Sequence, residues 1–302
     1  MSGSPRICSL LPSATEILAD LGLTGRLVGR SAECDWPPAV SSLPVVTAAR
    51  LDTLELASAE IDGAVRAALA EGRSLYALDQ QLIEELAPDV IVTQDLCTVC
   101  AVSSGEVRAI CDLDAEVISL DPHTIEEIEQ TVLQLAHHFD VAKRGRQVVQ
   151  RMQETIATAS RAVTDLRPRR VVVLEWLDPP FLAGHWLPEI VAAAGGIDLL
   201  GQAGRPSRAS TWDEVLDAEP ELVVLAPCGF DAARTTNEAD RLGLPTRFAA
   251  AGVASFAVDA NAYFSRPSPR VADGVAQLAG LFHPRPAAPH ALQHALLRLG
   301  SR

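Results

Sequence analysis

The chain lacks the signatures of nucleotide and hydrolytic chemistry. It has no Gly-x-x-x-x-Gly-Lys phosphate loop, no Gly-x-Gly-x-x-Gly after a strand, no Gly-x-Ser-x-Gly elbow and no His-Glu-x-x-His pair. Without a glycine cradle or an activated serine, nucleotide-dependent and serine-hydrolase readings fall away. Ala194-Gly195-Gly196-Ile197 reads as a helix-terminating turn. Cationic excess is also missing: Lys and Arg number 25 against 39 Asp and Glu, a net charge of −14. Such a surface argues against nucleic acid or an anionic membrane as partner. No apolar run approaches the ~20 residues a membrane helix needs. The first residues carry neither a basic n-region nor an apolar stretch of about 7–15 residues with a cleavage site. The expectation is a cytoplasmic protein with no membrane insertion. Tandem repeats and long low-complexity segments are absent too.

What is present is an alternation. Of 302 residues, 48% are hydrophobic and 21% charged, enough for a buried core. Short apolar runs alternate with amphipathic stretches, the pattern of βαβ units. Strands are predicted over 7–11, 27–31, 89–93 and 116–120, with a short extended piece at 75–78. Helices are predicted over 16–21, behind a Ser13-x-x-Glu16 capping box, and over 58–70, 80–86 and 124–139. From 141 to 163 the pattern stays helical for roughly 22 residues, about 33 Å at 1.5 Å per residue. A second series follows: strands at 170–175, 222–225 and 253–258, and helices at 187–194, 212–218, 232–241 and 269–281. The tail is rich in Pro and His and ends in a short helix. The domains expected are an N-terminal α/β lobe (1–140), a linking helix (141–167), a C-terminal α/β lobe (168–282) and a tail (283–302).

In open α/β sheets, ligands bind outside the carboxyl ends of the strands. Cys34 follows one strand-like run, and Cys97 and Cys100 follow another. Three convergent thiolates would fill three positions of a tetrahedral site, with zinc, copper(I) or iron as the soft-ligand metals. Cys-x-x-Cys alone is a weak signal, and a pair of small side chains tucked into a loop is the plainer alternative. Glu33, Asp35 and Asp95 flank the thiols as candidate acid–base or outer partners, or as ordinary solvated carboxylates. Cys8 and Cys111 read as core residues and Cys228 as structural. His185 is a candidate metal ligand, or a simply titrating imidazole.

Several segments together resemble a known family. They are Arg6-Ile7-Cys8-Ser9-Leu10-Leu11-Pro12-Ser13, Cys34-Asp35-Trp36-Pro37-Pro38, Leu86-Ala87-Pro88-Asp89-Val90, Trp176-Leu177-Asp178-Pro179-Pro180, Ala194-Gly195-Gly196 and Tyr263-Phe264-Ser265-Arg266-Pro267. This pattern is similar to the helical-backbone (class III) substrate-binding proteins of ABC transporters, most of all their cobalamin-binding branch, over about residues 5–282. The resemblance implies two Rossmann-like lobes joined by a single long helix, with a ligand cleft between them. It implies cobalamin, haem or a ferric chelate as ligand. The cleft would be walled by Pro12, Ser13, Trp36, Gln94, Asp95, Trp176, Asp178, Pro179, Trp186 and Tyr263. Aromatic and proline faces suit a flat, largely apolar ligand.

The chain also departs from that pattern. No leader is visible, so an ABC transporter partner is not expected, and the segment 50–79 is longer than the family's usual connection. Two functions stand side by side: a binding protein holding cobalamin, another corrinoid or a related metal chelate, and a cytosolic enzyme or metal-handling protein using Cys34, Cys97 and Cys100. Whether any reaction is catalysed stays open at this stage.

Overall fold

Ile7–Ser9 and Leu27–Arg30 become the first two strands (β1, β2), separated by helix α1 (Pro12–Asp20). The computed structural model describes residues 4–53, 56–71, 74–94, 104–110, 114–284 and 296–299. Cys97, Cys100, Asp95 and Cys111 lie outside these residues. The chain divides into two compact units: Met1–Leu56, Glu60–Pro122 and Glu129–Val148 form the first, and Ala57–Ala59, His123–Ile128 and Val149–Arg302 the second.

In chain order the first unit continues with β3 (Thr47–Ala49), α2 (Ser58–Ala70, whose opening turn belongs to the second unit), β4 (Tyr76–Leu78) and α3 (Gln80–Leu86). Then come β5 (Val90–Thr93), α4 (Ser104–Ile110), β6 (Glu116–Ser119) and α5 (Ile125–His138, whose first turn belongs to the second unit). Its main sheet is parallel, in the order β2-β1-β5-β6, and β3 and β4 pair separately. Every residue of β1 and β5 is buried, as expected when both faces of a parallel sheet are covered. Cys8, Leu10, Ile83, Ile91 and Val107 pack together on one face, so Cys8 is a core residue.

Helix α6 (Ala142–Val163) runs unbroken for 22 residues. No helix among the described residues is long and apolar enough to cross a membrane.

The second unit is built on β7 (Arg169–Leu177), β8 (Pro180–Leu182), α7 (Leu187–Ala193), β9 (Gly196–Asp198), β10 (Arg208–Ala209), α8 (Trp212–Asp217) and β11 (Leu222–Leu225). It is completed by α9 (Ala232–Arg241), α10 (Leu244–Ala250), β12 (Ala254–Val258), α11 (Ala260–Tyr263), α12 (Val271–Phe282) and β13 (Leu296–Leu299). The sheet order is β10-β8-β7-β11-β12-β13, with β9 beside the start of β7. β7, β11 and β12 are parallel, Val171–Leu174 facing Leu222–Leu225. Val172, Leu174, Val223, Leu225, Phe248 and Ala257 form its core on one face.

Two local expectations are corrected. Helix α1 begins at Pro12, not Glu16, and Leu11 at its N-cap makes no side-chain cap, so the Ser13-x-x-Glu16 box is not used. A proline in the first helical position has the right φ and no N–H to satisfy, so it sets the start by itself. The expected helical end of the chain is instead strand β13, which pairs antiparallel with Ser255–Val258 of β12. An unpaired strand edge overrides the weak local preference of a short leucine-rich segment.

Candidate functional site

The carboxyl ends of the strands carry the candidate residues, on each unit separately. In the first unit, β1 leads at once into α1, which leaves Pro12 half-buried and Ser13 buried. The loop after β2 is held by Arg30, whose Nη1 donates to the carbonyls of Ser31 and Cys34 at 3.0 Å each and whose Nη2 donates to that of Ser41 at 3.2 Å. On this braced loop Trp36 is 45% exposed, ahead of a cis Trp36–Pro37 peptide. Gln94, just past β5, is buried. Glu33 and Asp35 are exposed.

Cys34 is 0% exposed and lies among hydroxyls. Its Sγ is 3.0 Å from the Thr15 hydroxyl and 3.1 Å from that of Ser31, and the Thr15 hydroxyl also donates to Ser9 Oγ at 2.8 Å. A small, weakly polar thiol satisfies these hydroxyls inside the fold. Among the described residues there is no group of three or more His, Cys, Asp and Glu side chains able to hold a metal ion. Of the expected cysteine cluster only Cys34 is described, and it is sealed among hydroxyls; Cys97 and Cys100 lie outside the described residues, so the thiolate metal site and the enzyme or metal-handling reading built on it gain no support.

In the second unit, β7 carries Trp176 one residue before its end, half-buried and donating its indole N–H to the Ser58 carbonyl at 3.1 Å. Phe230, in the loop after β11, meets the Trp176 ring edge-on, with centroids 5.4 Å apart. The Arg234 guanidinium sits 3.8 Å over the Phe230 ring. Asp178 and Pro179 follow in a cis-linked turn, both half-buried. Tyr263, at the end of α11, is half-buried with the Arg270 guanidinium 4.7 Å from its ring centre. Trp186 differs: it is 5% exposed, and its indole N–H donates to the Phe264 carbonyl at 2.8 Å, so the ring is a packing element of the unit's interior.

His185 is half-buried, 5.4 Å from the His123 ring. Burial pushes its pKa below the ordinary histidine value, and the neighbouring His123 adds to the effect, which favours the uncharged imidazole.

Several residues at this edge escape a reading of local sequence. Ser58 donates from its backbone N–H to Glu238 Oε1 at 2.7 Å and makes a second, short bond to the same oxygen from its hydroxyl. Arg241 closes on Glu238 with two bonds, at 2.8 and 2.7 Å. Burial works against the Glu238 charge, but the hydrogen bonds from Arg241 and Ser58 prevail and hold the carboxyl down at about 2. Ser58 opens a predicted helix and Glu238 lies inside another. Neither carries a local signal of its partner.

The arrangement offers an aromatic, partly desolvated edge with fixed charges around it. Such an edge is chemically suited to contact with a flat, largely apolar group.

A family model described as periplasmic binding protein matches residues 7–245. The chain is 21% identical over 276 residues to the vitamin B12-binding protein of Vibrio cholerae serotype O1 (strain N16961), covering 90% of this chain and 87% of that one. In fold it is similar to an ABC transporter substrate-binding protein from Listeria monocytogenes EGD-e, with a TM-score of 0.70 at 16% identity over 94% of this chain and 100% of that one. It is also similar to a periplasmic heme binding protein from Pseudomonas aeruginosa, with a TM-score of 0.68 at 20% identity over 99% of both chains. These findings overturn the expected cytoplasmic location, because the matching family is one of periplasmic proteins.

Proposed function

Because the chain belongs to the periplasmic binding protein family, we propose that it is a receptor that holds a planar, metal-bearing macrocycle of the corrinoid class without transforming it. The observation that carries this reading is the likeness to a vitamin B12-binding protein along 276 residues. The aromatic edge at the end of β7 and β11 agrees with it. A large π-surface favours stacking and edge contacts with a flat ligand, each worth about 0.5–1.5 kcal/mol beyond area burial. On this reading Trp176 and Tyr263 of the second unit supply aromatic contacts. Asp178 and Pro179 of the same unit supply shape and a polar anchor. The partners implied are the small-molecule ligand and an ABC transporter that receives it.

Titration of the purified protein with cyanocobalamin and, in parallel, haemin tests this. Saturable cyanocobalamin binding, micromolar or tighter, is the expected result, with Trp176→Ala weakening it about tenfold, equivalent to about 1.4 kcal/mol. Tight haemin binding with none of cyanocobalamin would reassign the ligand to haem. Binding of neither would overturn the proposal.

A further inference from the structure

Residues Ala57–Ala59 belong to the second unit, and Ser58 is the point at which they are fastened. Both of its backbone groups are used there: the N–H on Glu238 at 2.7 Å, and the carbonyl on the Trp176 indole at 3.1 Å. The hydroxyl adds a further bond to Glu238 Oε1. Ser58 is fully buried and Glu238 is 7% exposed. Hydrogen bonds in such a dry setting are electrostatically stronger than in water, and breaking one strands a buried partner. Arg241, one turn further along α9, holds both Glu238 oxygens in a fork and leaves the carboxylate little freedom.

The consequence falls on Trp176. An indole has two side-chain torsions. Here its N–H is tied to Ser58 while its ring is met edge-on by Phe230, with planes 67° apart. One directed bond and one ring contact together fix both torsions. Cut loose from Ser58, the indole would be free to turn about its Cβ–Cγ bond and present a different face.

We propose that Ser58 and Glu238 are positioning residues: through the chain Arg241–Glu238–Ser58 they hold the Trp176 indole in the single orientation it offers to ligand, and so set which flat ligand the second unit accepts. The part concerning ligand choice rests on the function proposed above; the part concerning the indole does not.

The full-length protein with 15N-labelled tryptophan tests it. Four tryptophans give four indole N–H signals, and Trp176→Phe identifies the relevant one. In the ligand-free protein, Glu238→Ala is expected to shift the Trp176 signal and speed its hydrogen exchange at least about tenfold. Ser58→Ala, which removes only the hydroxyl, is expected to move it less in the same direction. Glu238→Gln keeps an oxygen to accept from Ser58 and is expected to restore the wild-type signal, which a purely stabilising role for the ion pair would not. Cyanocobalamin affinity is expected to fall about fivefold in Glu238→Ala and to recover in Glu238→Gln. An unmoved Trp176 signal in Glu238→Ala overturns the proposal. So does a moved signal with wild-type affinity. A wild-type protein that binds neither cyanocobalamin nor haemin overturns the ligand-choice half along with the proposed function, and the indole signal then decides the positioning half alone.

Discussion

Two carboxylates of the second unit are held at opposite ends of the acid scale, and hydrogen bonding accounts for the difference. Asp198 ends β9. Burial pushes its pKa up to about 6, against backbone hydrogen bonds from Gly201, Leu200 and Val173. A native pKa above the unfolded value means the folded state prefers the neutral acid. Stability is thus lost as pH rises from about 4 through about 6. Asp198→Asn keeps an oxygen for the Leu200 and Gly201 N–H groups and removes the charge. It should stabilise the protein by about 1 kcal/mol at pH 7.5, with the gain gone at pH 4, as urea melts at the two pH values will read. Glu238 is the opposite case. Its native pKa of about 2 lies below the unfolded value, so its contribution is present above about 4.5 and lost as pH falls toward 2. Glu238→Ala should cost about 1–3 kcal/mol at pH 7 and much less near pH 2, measured in the same way.

Between elements, one glycine decides how closely two helices meet. Gly145 lies in the first turn of α6 and faces α5 in the first unit. A Cβ placed on it would fall 2.3 Å from the Ala136 Cβ, well inside contact distance. Gly145→Ala should therefore destabilise the protein by about 1–3 kcal/mol despite alanine's better helix propensity. Ala136→Gly in the same chain should recover part of the loss, which thermal melts of the single and double variants will show. The sequence marks Gly145 only as an interruption of a long helical pattern; the close approach to α5 is what requires it. Helices α3, α6 and α9 are legible from periodicity almost to the residue, because each shows an apolar stripe on a polar run. Strand β13 is not, because its pairing with β12 is a contact between segments with no shared local pattern.

At the scale of the whole molecule, the proposed function carries a thermodynamic signature apart from any single contact. A ligand that binds only the folded chain stabilises it by about 2.7 kcal/mol at one hundred times its Kd. Cyanocobalamin at that excess should raise the unfolding midpoint of the wild-type protein. It should do so far less for Trp176→Ala at the same concentration, as calorimetry will register.

The alternation of apolar runs and amphipathic segments determined the α/β class and most of the elements. Motifs spread from Arg6 to Arg266 pointed to the family, which the match over residues 7–245 bears out. Both are local or linear properties that a chain displays without folding. The tertiary structure alone decided what the strand-end residues do. Cys34 and Trp36 stand two positions apart, yet one is sealed among Thr15 and Ser31 and the other is 45% exposed. Trp176 and Trp186 look alike in sequence, yet one indole is tied at the strand end to Ser58 and the other is packed inside against Phe264. Ser58 and Glu238 are 180 residues apart and share one carboxylate oxygen. Burial and hydrogen bonding between segments far apart in the chain leave no periodic trace along it, so only the folded arrangement sets them.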